Sequence, residues 1–242
     1  MEKVRTVEEG VRKLLELRHV TVPAFRYIKA EKGEYCDVLE LEGKRVPLLV
    51  MRTDLQIASL IEYGEIGGNS ALNAHAFASS DMTMEQLMYR EFDIAEAVLH
   101  SEIVRVMAYV NGGAANVIAT MADGTCANLE LGNTLAEGTR HQTLHRIITN
   151  HGMANDRALD CQTTVSQITL FGADGKTLGF DDDEYYLWGL SEDEVRAVFA
   201  IHAIIVGALD ASDFDRVDAR HRASVDAAME SARRGECVEV KA

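Results

Sequence analysis

The sequence of 242 residues predicts an α+β fold, a large and mostly antiparallel open β-sheet with helices packed on one face. Two observations predict it. Segments rich in β-forming residues succeed one another across residues 102–182, whereas helical segments precede and follow them. Asp123-Gly124 and Asp174-Gly175 stand between such segments, as tight hairpin turns require. Consecutive strands with helices before and after them are typical of helices that cover one face of an antiparallel sheet.

The first fifty residues predict a helix followed by a hairpin. Apolar residues recur at helical spacing over 6–18, and two extended segments in 34–52 flank a Glu-Gly-Lys turn. A helix over 36–41 is the alternative to the first extended segment. We therefore expect an N-terminal appendage, residues 1–50, and a main α+β domain, residues 51–242.

The start of the main domain predicts a helix, a strand and a second helix. Residues 53–68 show helical spacing, and residues 71–79 alternate as a strand does. The second helix covers about 83–100. It begins with Thr83 as N-cap and has Gln86 three residues later, which is the pattern of a capping box.

Two helices close the chain. The first begins at Ser191, and the acidic turn Glu192-Asp193-Glu194 that follows favours a helix N-terminus. The second covers about 213–234 and ends at Gly235, a residue type that commonly terminates helices. His221 has apolar neighbours one turn away on both sides, so we interpret it as a packed or capping residue.

The composition excludes several classes of protein. The net charge is −15, from 39 acidic and 24 basic residues, so a nucleic acid would be repelled over most of the surface. No apolar run reaches the roughly 18 residues that a membrane span needs, and the charged N-terminus lacks a signal-peptide pattern. The four cysteines have no metal-binding spacing. We therefore expect a cytoplasmic protein that binds no nucleic acid, membrane or metal.

Four stretches of the main domain carry a family resemblance. In chain order they read LIEYGEIGG (60–68), REFDIAEAVLHSEIVRVMAYV (90–110), MADGTCANLELGNT (121–134) and DARHRASVDAAMESARRGECVEV (218–240). Their order and spacing resemble the C-terminal domain of the Gfo/Idh/MocA family of NAD(P)-dependent oxidoreductases, which act mostly on sugars and polyols. The resemblance covers about residues 50–240 and implies the same α+β fold.

The resemblance also implies an N-terminal Rossmann domain, which this sequence does not contain. It has no GxGxxG loop between a strand and a helix, and the fifty residues before the matching region are too few for such a domain. Residues 34–52 are either a relic of that domain's last helix and strand or an unrelated replacement hairpin. We expect no bound nicotinamide cofactor.

The family's catalytic helix is changed as well. In the family an Asp and, four residues on, a His assist proton transfer, and the matching positions here are Gln86 and Arg90. A guanidinium is no general base near neutral pH, because its pKa stays above ~12. We therefore do not expect NAD(P)-dependent dehydrogenase activity from this chain alone.

Four residues are candidates for a general base in chemistry that needs no cofactor. Glu91 lies on the predicted helix beside Arg90, Asp81 precedes that helix, and His75 and His145 lie on predicted strands. For Arg90 and Glu91 the simpler interpretation is a solvated turn of an amphipathic helix, and for His75 it is a satisfied core histidine. A catalytic role requires that two of the candidates converge on one cleft with perturbed pKa values.

The ligand-binding candidates are Arg90, His141, Tyr185 and Trp188. Arg90 would clamp a carboxylate or phosphate with two hydrogen bonds. Tyr185 and Trp188 lie beside an acidic run, a pattern that holds sugar faces or forms interface cores. His141 and His145 lie four residues apart on a predicted strand. This is about 13 Å, too far for one metal ion, so they are expected to be exposed or interfacial.

Three functions follow, in order of preference. The first is a non-redox module that binds a sugar-like compound and forms a homo-oligomer through the open sheet face, or pairs with a complete oxidoreductase chain. The second is a redox-independent enzyme, an isomerase, lyase or hydrolase acting on an oxidised sugar. The third is a subunit of a split NAD(P)-dependent oxidoreductase, with the Rossmann domain supplied by another chain. The two changed catalytic-helix positions favour the first.

Overall fold

A computed structural model of the chain provides the architecture. It describes residues 4–31, 33–49, 71–139, 141–157, 166–172, 177–182 and 189–241. The helix predicted over 53–68 and the turn at Asp174-Gly175 lie outside these residues, as do Tyr185 and Trp188.

The described residues contain helices at both ends of the chain and strands between them. The helices are α1 (Val7–Leu17), α2 (Met84–Leu99), α3 (Glu192–Ile205) and α4 (Phe214–Arg234). The strands are β1 (Phe25–Ile28), β2 (Val38–Leu41), β3 (Lys44–Pro47), β4 (Ala71–Ser79), β5 (Ile103–Asn111), β6 (Ala114–Met121), β7 (Cys126–Leu135), β8 (Gln142–Thr149), β9 (Gly152–Arg157), β10 (Ser166–Gly172), β11 (Thr177–Asp182) and β12 (Val238–Glu239).

The chain divides into two compact units. The first comprises Met1–Asp54 and Asp183–Ala219, and the second comprises Leu55–Asp182 and Arg220–Ala242. The first unit therefore contains a C-terminal segment in addition to the fifty residues that the sequence assigned to an appendage. Helix α4 crosses the division between Ala219 and Arg220.

The first unit has a three-stranded antiparallel sheet in the order β1-β2-β3, and its helices α1 and α3 pack together. Thr6 caps α1 by accepting a hydrogen bond from the backbone N–H of Glu9. Glu42 and Gly43 connect β2 to β3 with positive φ at both positions, the conformation of a tight two-residue hairpin. The predicted hairpin is confirmed, and the alternative helix over 36–41 is wrong. Val11, Leu15, Leu39, Leu48, Val198 and Ile201 lie in the core of this unit.

The second unit contains a sheet of nine described strands in the order β11-β10-β9-β8-β4-β7-β6-β5-β12. Every neighbouring pair is antiparallel except β4 and β7, which run parallel. Helix α2 packs on β4 and β7. From α4, Ser231 accepts a hydrogen bond from the backbone N–H of Ala108 on β5. The predicted fold class, an α+β fold with a large and mostly antiparallel sheet, is confirmed.

The two faces of this sheet differ in composition. Side chains alternate along each strand, so residues paired across neighbouring strands share one face. The face toward the helices is apolar and buried, with Leu72 and Ala74 on β4, Leu129 on β7 and Val117 on β6. We call the opposite side the open face. None of the helices in the described ranges has the length and apolarity that a membrane span requires.

Candidate functional site

Helix α2 positions the first residues of the candidate site. Thr83 and Gln86 form the predicted capping box: the Thr83 hydroxyl accepts from the Gln86 backbone N–H at 3.2 Å, and the Gln86 side-chain oxygen accepts from the Thr83 N–H at 2.8 Å. This fixes the first turn of the helix. Glu91 follows one turn later and faces the sheet, with a side chain that is 0% exposed.

Glu91 is the centre of a chain of four charged side chains, which we call the buried quartet: Arg90, Glu91, His145 and Asp156. Arg90 Nη1 lies 2.6 Å from Glu91 Oε1, and His145 Nε2 lies 2.8 Å from Glu91 Oε2. On the other side of the ring, His145 Nδ1 is hydrogen-bonded to Asp156 Oδ2, and the backbone N–H of His145 donates to Asp156 Oδ1 at 2.7 Å. Helix α2 and strands β8 and β9 are therefore joined by a continuous line of ionic contacts.

The charges of the quartet stabilise one another. Burial alone would disfavour the imidazolium, but the Asp156 and Glu91 carboxylates outweigh it and raise the pKa of His145 to about 10. Burial alone would raise the pKa of Glu91, but His145 and Arg90 outweigh it and hold that pKa below its usual value. At neutral pH His145 is a cation and Glu91 an anion. The interpretation of Arg90–Glu91 as a solvated turn is wrong.

This arrangement is unsuited to proton abstraction. Both ring nitrogens of His145 donate to carboxylates, so neither has a lone pair with which to accept a proton. A general base works best with a pKa near the operating pH, and here the pKa values of His145 and Glu91 have moved away from neutrality in opposite directions. Two of the four catalytic candidates, Glu91 and His145, do lie together, but they neutralise each other as members of an ionic network.

The remaining catalytic candidates lie elsewhere. Asp81 is exposed beyond the end of β4, where the Ser79 hydroxyl donates to it. His75 lies on the open face, opposite the face that carries His145, and its Nδ1 is 3.0 Å from Glu130 on β7. With a side chain that is 38% exposed, His75 is a half-exposed surface histidine and not the core residue that we expected.

The ligand-binding candidates are not brought together in the described part of the chain. Arg90 is turned inward to Glu91, and 11% of its side chain is exposed. His141 is half-buried just before β8, whereas His145 is enclosed and not exposed or interfacial as expected. Tyr185 and Trp188 lie outside the described residues. In the described ranges, no group of three or more His, Cys, Asp or Glu side chains is arranged to hold a metal ion.

A second buried ionic group involves Glu96, one turn further along α2. Glu96 Oε2 lies 2.5 Å from Arg220 Nη2 and 3.0 Å from His221 Nε2, and Glu96 Oε1 accepts from Arg220 Nε and from the Ile103 backbone N–H. Burial alone would raise the pKa of Glu96, but the bonds from His221 and Arg220 lower it to about 2. Tyr89 meets the His221 ring edge-on. His221 is a packed residue, as the sequence indicated.

Asp156, Glu96 and Arg220 were not predicted from the sequence. Glu96 could have been noticed, because an acidic residue inside the apolar run FDIAEAVL would face the sheet if that run is helical. Its burial then requires a cation. Asp156 and Arg220 have no comparable local signal, since their partners lie on other elements.

Comparisons with known proteins give a likeness of structure only. No protein-family model matches the chain, and a search of curated proteins gives no match. Solved structures do match. An oxidoreductase domain protein from Kribbella flavida has a TM-score of 0.59 and 13% identity, over 80% of this chain and 64% of the other. The likeness is one of fold.

Two further structures show the same likeness. An oxidoreductase from Agrobacterium radiobacter, in complex with NAD+, L-tartaric acid and magnesium, has a TM-score of 0.60 and 15% identity, over 98% of this chain and 70% of the other. The apo scyllo-inositol dehydrogenase from Lactobacillus casei has a TM-score of 0.56 and 15% identity, over 79% of this chain and 62% of the other. This chain thus spans less than two thirds of the Kribbella and Lactobacillus proteins.

Proposed function

We propose that this chain is a relative of the Gfo/Idh/MocA oxidoreductases that functions as a non-redox module, self-associating through the open face and binding a sugar-like compound. The four sequence stretches and the fold likeness to oxidoreductases support the relationship. The sugar-like ligand is supported by the family resemblance and by a neighbour that is a scyllo-inositol dehydrogenase. We expect no hydride transfer by this chain alone.

The apolar character of the open face carries the self-association part of the proposal. Five large apolar side chains that the strand register places on this face are more than a third exposed: Phe77, Met107, Tyr109, Ile118 and Ile148. Tyr109 reaches 72% exposure. Soluble monomers rarely expose contiguous apolar patches beyond a few hundred square ångströms, and larger patches mark interaction sites.

The size of the open face suits a stable pair of copies. Strands β8, β4, β7, β6 and β5 are adjacent, and neighbouring strands are about 4.8 Å apart, with a rise of about 3.3 Å per residue. Five strands of about eight residues therefore present roughly 600 Å² of flat sheet before side-chain relief is counted. A standard interface buries about 800 Å² per partner. Two copies packed face to face would come close to that area.

A redox-independent enzyme is supported less well. Isomerisation or elimination on an oxidised sugar needs a base that can change its protonation state near neutral pH. In the buried quartet, Glu91 and His145 are each neutralised by partners, and Asp81 and His75 lie apart from them. Gln86 and Arg90, at the family's catalytic positions, serve as a helix cap and as the counter-ion of Glu91.

Sedimentation velocity of the purified chain at micromolar concentration tests the proposal. We expect a dimer or larger homo-oligomer that dissociates in the variant Ile118→Glu, because a carboxylate on β6 would be buried between the two open faces. Leu17→Glu is the matched control. Leu17 is 66% exposed on α1, in the first unit and on none of the strands that form the open face, so its variant should keep the wild-type mass. A monomeric wild-type chain would refute self-association.

Native mass spectrometry of the same preparation tests the ligand part. A retained mass that matches a sugar, polyol or sugar acid would support the module as proposed. A retained nicotinamide nucleotide, or reduction of NAD+ by the chain with a polyol, would overturn its non-redox character.

A further inference from the structure

The open face has an unusual distribution of charge. Strands β4 to β8 contain one carboxylate in total, Glu130, and two side chains with a permanent positive charge, Arg105 and Arg146. Register with their neighbours places all three on the open face. Arg105 stands opposite Glu239 of β12, so it has a carboxylate beside it in its own chain. Glu130 has the half-exposed His75 of its own chain beside it, with His75 Nδ1 at 3.0 Å. Among the described residues Arg146 contacts Asn155 and no carboxylate, so Arg146 is the charge that an interface on this face would have to match, and Glu130 is the carboxylate that these strands offer.

Arg146 and Glu130 are held apart within one chain. Arg146 lies on β8 and Glu130 on β7, with β4 between them and a stagger of two residues, which separates their Cα atoms by about 12 Å. The Arg146 side chain is also directed toward β9 and not toward β7, because its Nε donates to Asn155 Oδ1 on β9 at 2.9 Å. Asn155 is 0% exposed, so this contact is a fixed support for the guanidinium.

A two-fold dimer provides a carboxylate for each Arg146 with one contact made twice. In an isologous interface, if residue i of one copy meets residue j of the other, then j also meets i. Packing two open faces together without such a contact would bury two Arg146 guanidinium groups without a carboxylate, and an unpaired buried charge is strongly unfavourable. Pairing Arg146 with Glu130 of the second copy gives each guanidinium a carboxylate, in addition to the His75 that each Glu130 already contacts. The apolar side chains around them exclude water, which strengthens the contact.

We propose that Arg146 of one copy pairs with Glu130 of a second copy of this chain, and that this reciprocal pair sets the register of the dimer. The inference rests on the proposed self-association through the open face. The apolar residues drive the association, and the charge pair selects one alignment of the two sheets from the many that flat apolar surfaces permit.

Charge reversal tests the pair. Arg146→Glu and Glu130→Arg should each raise the dimer dissociation constant at least about tenfold, because each places like charges against each other. The doubly reversed chain should recover most of the wild-type affinity, since it restores two opposite-charge contacts. Arg105→Glu is the control on the same face and should change the constant by less than about threefold, because Arg105 has no assigned partner in the second copy.

The outcomes separate this inference from the proposed function. If the wild-type chain dimerises and Ile118→Glu dissociates it, but the double reversal does not recover affinity, the pair is refuted and self-association stands. If the wild-type chain is a monomer, both fail. Thermal unfolding of each variant, with a midpoint close to that of wild type, ensures that a lost dimer reflects the interface. The isosteric variants Arg146→Met and Glu130→Gln should weaken the dimer less than the reversals and should reduce its sensitivity to salt.

Discussion

Two of the buried carboxylates on helix α2, Glu91 and Glu96, are neutralised by the same pair of residue types. Each accepts hydrogen bonds from one arginine and one histidine: Arg90 and His145 for Glu91, and Arg220 and His221 for Glu96. Both carboxylates have a pKa below the usual value. The two groups differ in what contacts the second ring nitrogen of the histidine.

His145 has a carboxylate on each side, whereas His221 has one. Asp156 binds Nδ1 of His145, but Nδ1 of His221 has no hydrogen-bond partner in the described part of the chain. A ring that donates from both nitrogens is a fixed cation. One additional aspartate therefore makes the Glu91 group a permanent ionic network, and it is the reason why His145 is unsuited to act as a base.

The largest effect is expected where a carboxylate is removed from its cations. Glu96→Ala leaves Arg220 buried without its two contacts to Glu96, and also frees His221 and the Ile103 N–H. Breaking a buried ion pair in this way should lower the free energy of unfolding by about 3–5 kcal/mol. Denaturant-induced unfolding measures it.

Glu102→Ala is the matched control for that loss. Glu102 binds the same arginine, through Nη1 at 2.8 Å, but its side chain is 52% exposed. Its removal should cost less than about 1 kcal/mol. Equal losses for Glu96→Ala and Glu102→Ala would contradict the view that burial determines the strength of these contacts.

An intermediate effect is expected in the pH dependence of stability. The pKa of His145 is raised from 6.5 in the unfolded chain to about 10, so the stability it contributes is complete below pH 6.5 and is lost as the pH rises toward 10. The pKa of Glu96 is lowered from 4.5 to about 2, so its contribution is complete above pH 4.5 and is lost as the pH falls toward 2. The unfolding free energy should therefore be highest between pH 4.5 and pH 6.5, and it should decline both toward about pH 2 and toward about pH 10.

The substitution Asp156→Asn makes the Glu91 group resemble the Glu96 group. Without the second carboxylate, the pKa of His145 should fall, and the decline of stability between pH 6.5 and about 10 should become shallower while the acid side changes little. NMR titration of the His145 ring gives its pKa directly. An unchanged alkaline decline in Asp156→Asn would show that Asp156 is not what holds the imidazolium.

The smallest effect is expected at the N-terminus of α2. Thr83→Ala removes the hydroxyl that caps the helix and should cost about 1 kcal/mol. Because the cap is nearer to Glu91 than to Glu96, amide hydrogen exchange should accelerate over residues 87–91 more than over 95–99. Ser191→Ala, which removes the corresponding cap of α3, should leave both segments of α2 unchanged. Uniform acceleration along α2 would mean that the two groups unfold together.

Local structure was predictable from the sequence where it is determined by residues that are near neighbours in the chain. The capping box at Thr83, the helix start at Ser191, the turn at Glu42-Gly43 and the turn at Asp123-Gly124 are set by residues within a few positions of one another. Their chemistry is readable from the sequence, because a side chain and the backbone it binds occur together.

The contacts within the candidate site could not be predicted, because the residues that meet there are distant in the chain. Glu91 meets His145 only when α2 packs on a sheet that contains β8, and Asp156 meets His145 only through the pairing of β8 with β9. The hydrophobic pattern placed Glu91 on a helix and His145 on a strand. It could not tell which charged residue would lie beneath the helix, since that depends on strand order.

The parallel pairing of β4 with β7 also constrains how the second unit folds during and after its synthesis. β4 lies between β7 and β8, and its partners in both strands come more than fifty residues later in the chain. Until those strands have been synthesised, both edges of β4 have unsatisfied backbone groups and can pair with another nascent chain. Contacts so distant in sequence slow folding. We therefore expect refolding yield to fall with protein concentration, and chaperones that bind short extended segments to recognise β4.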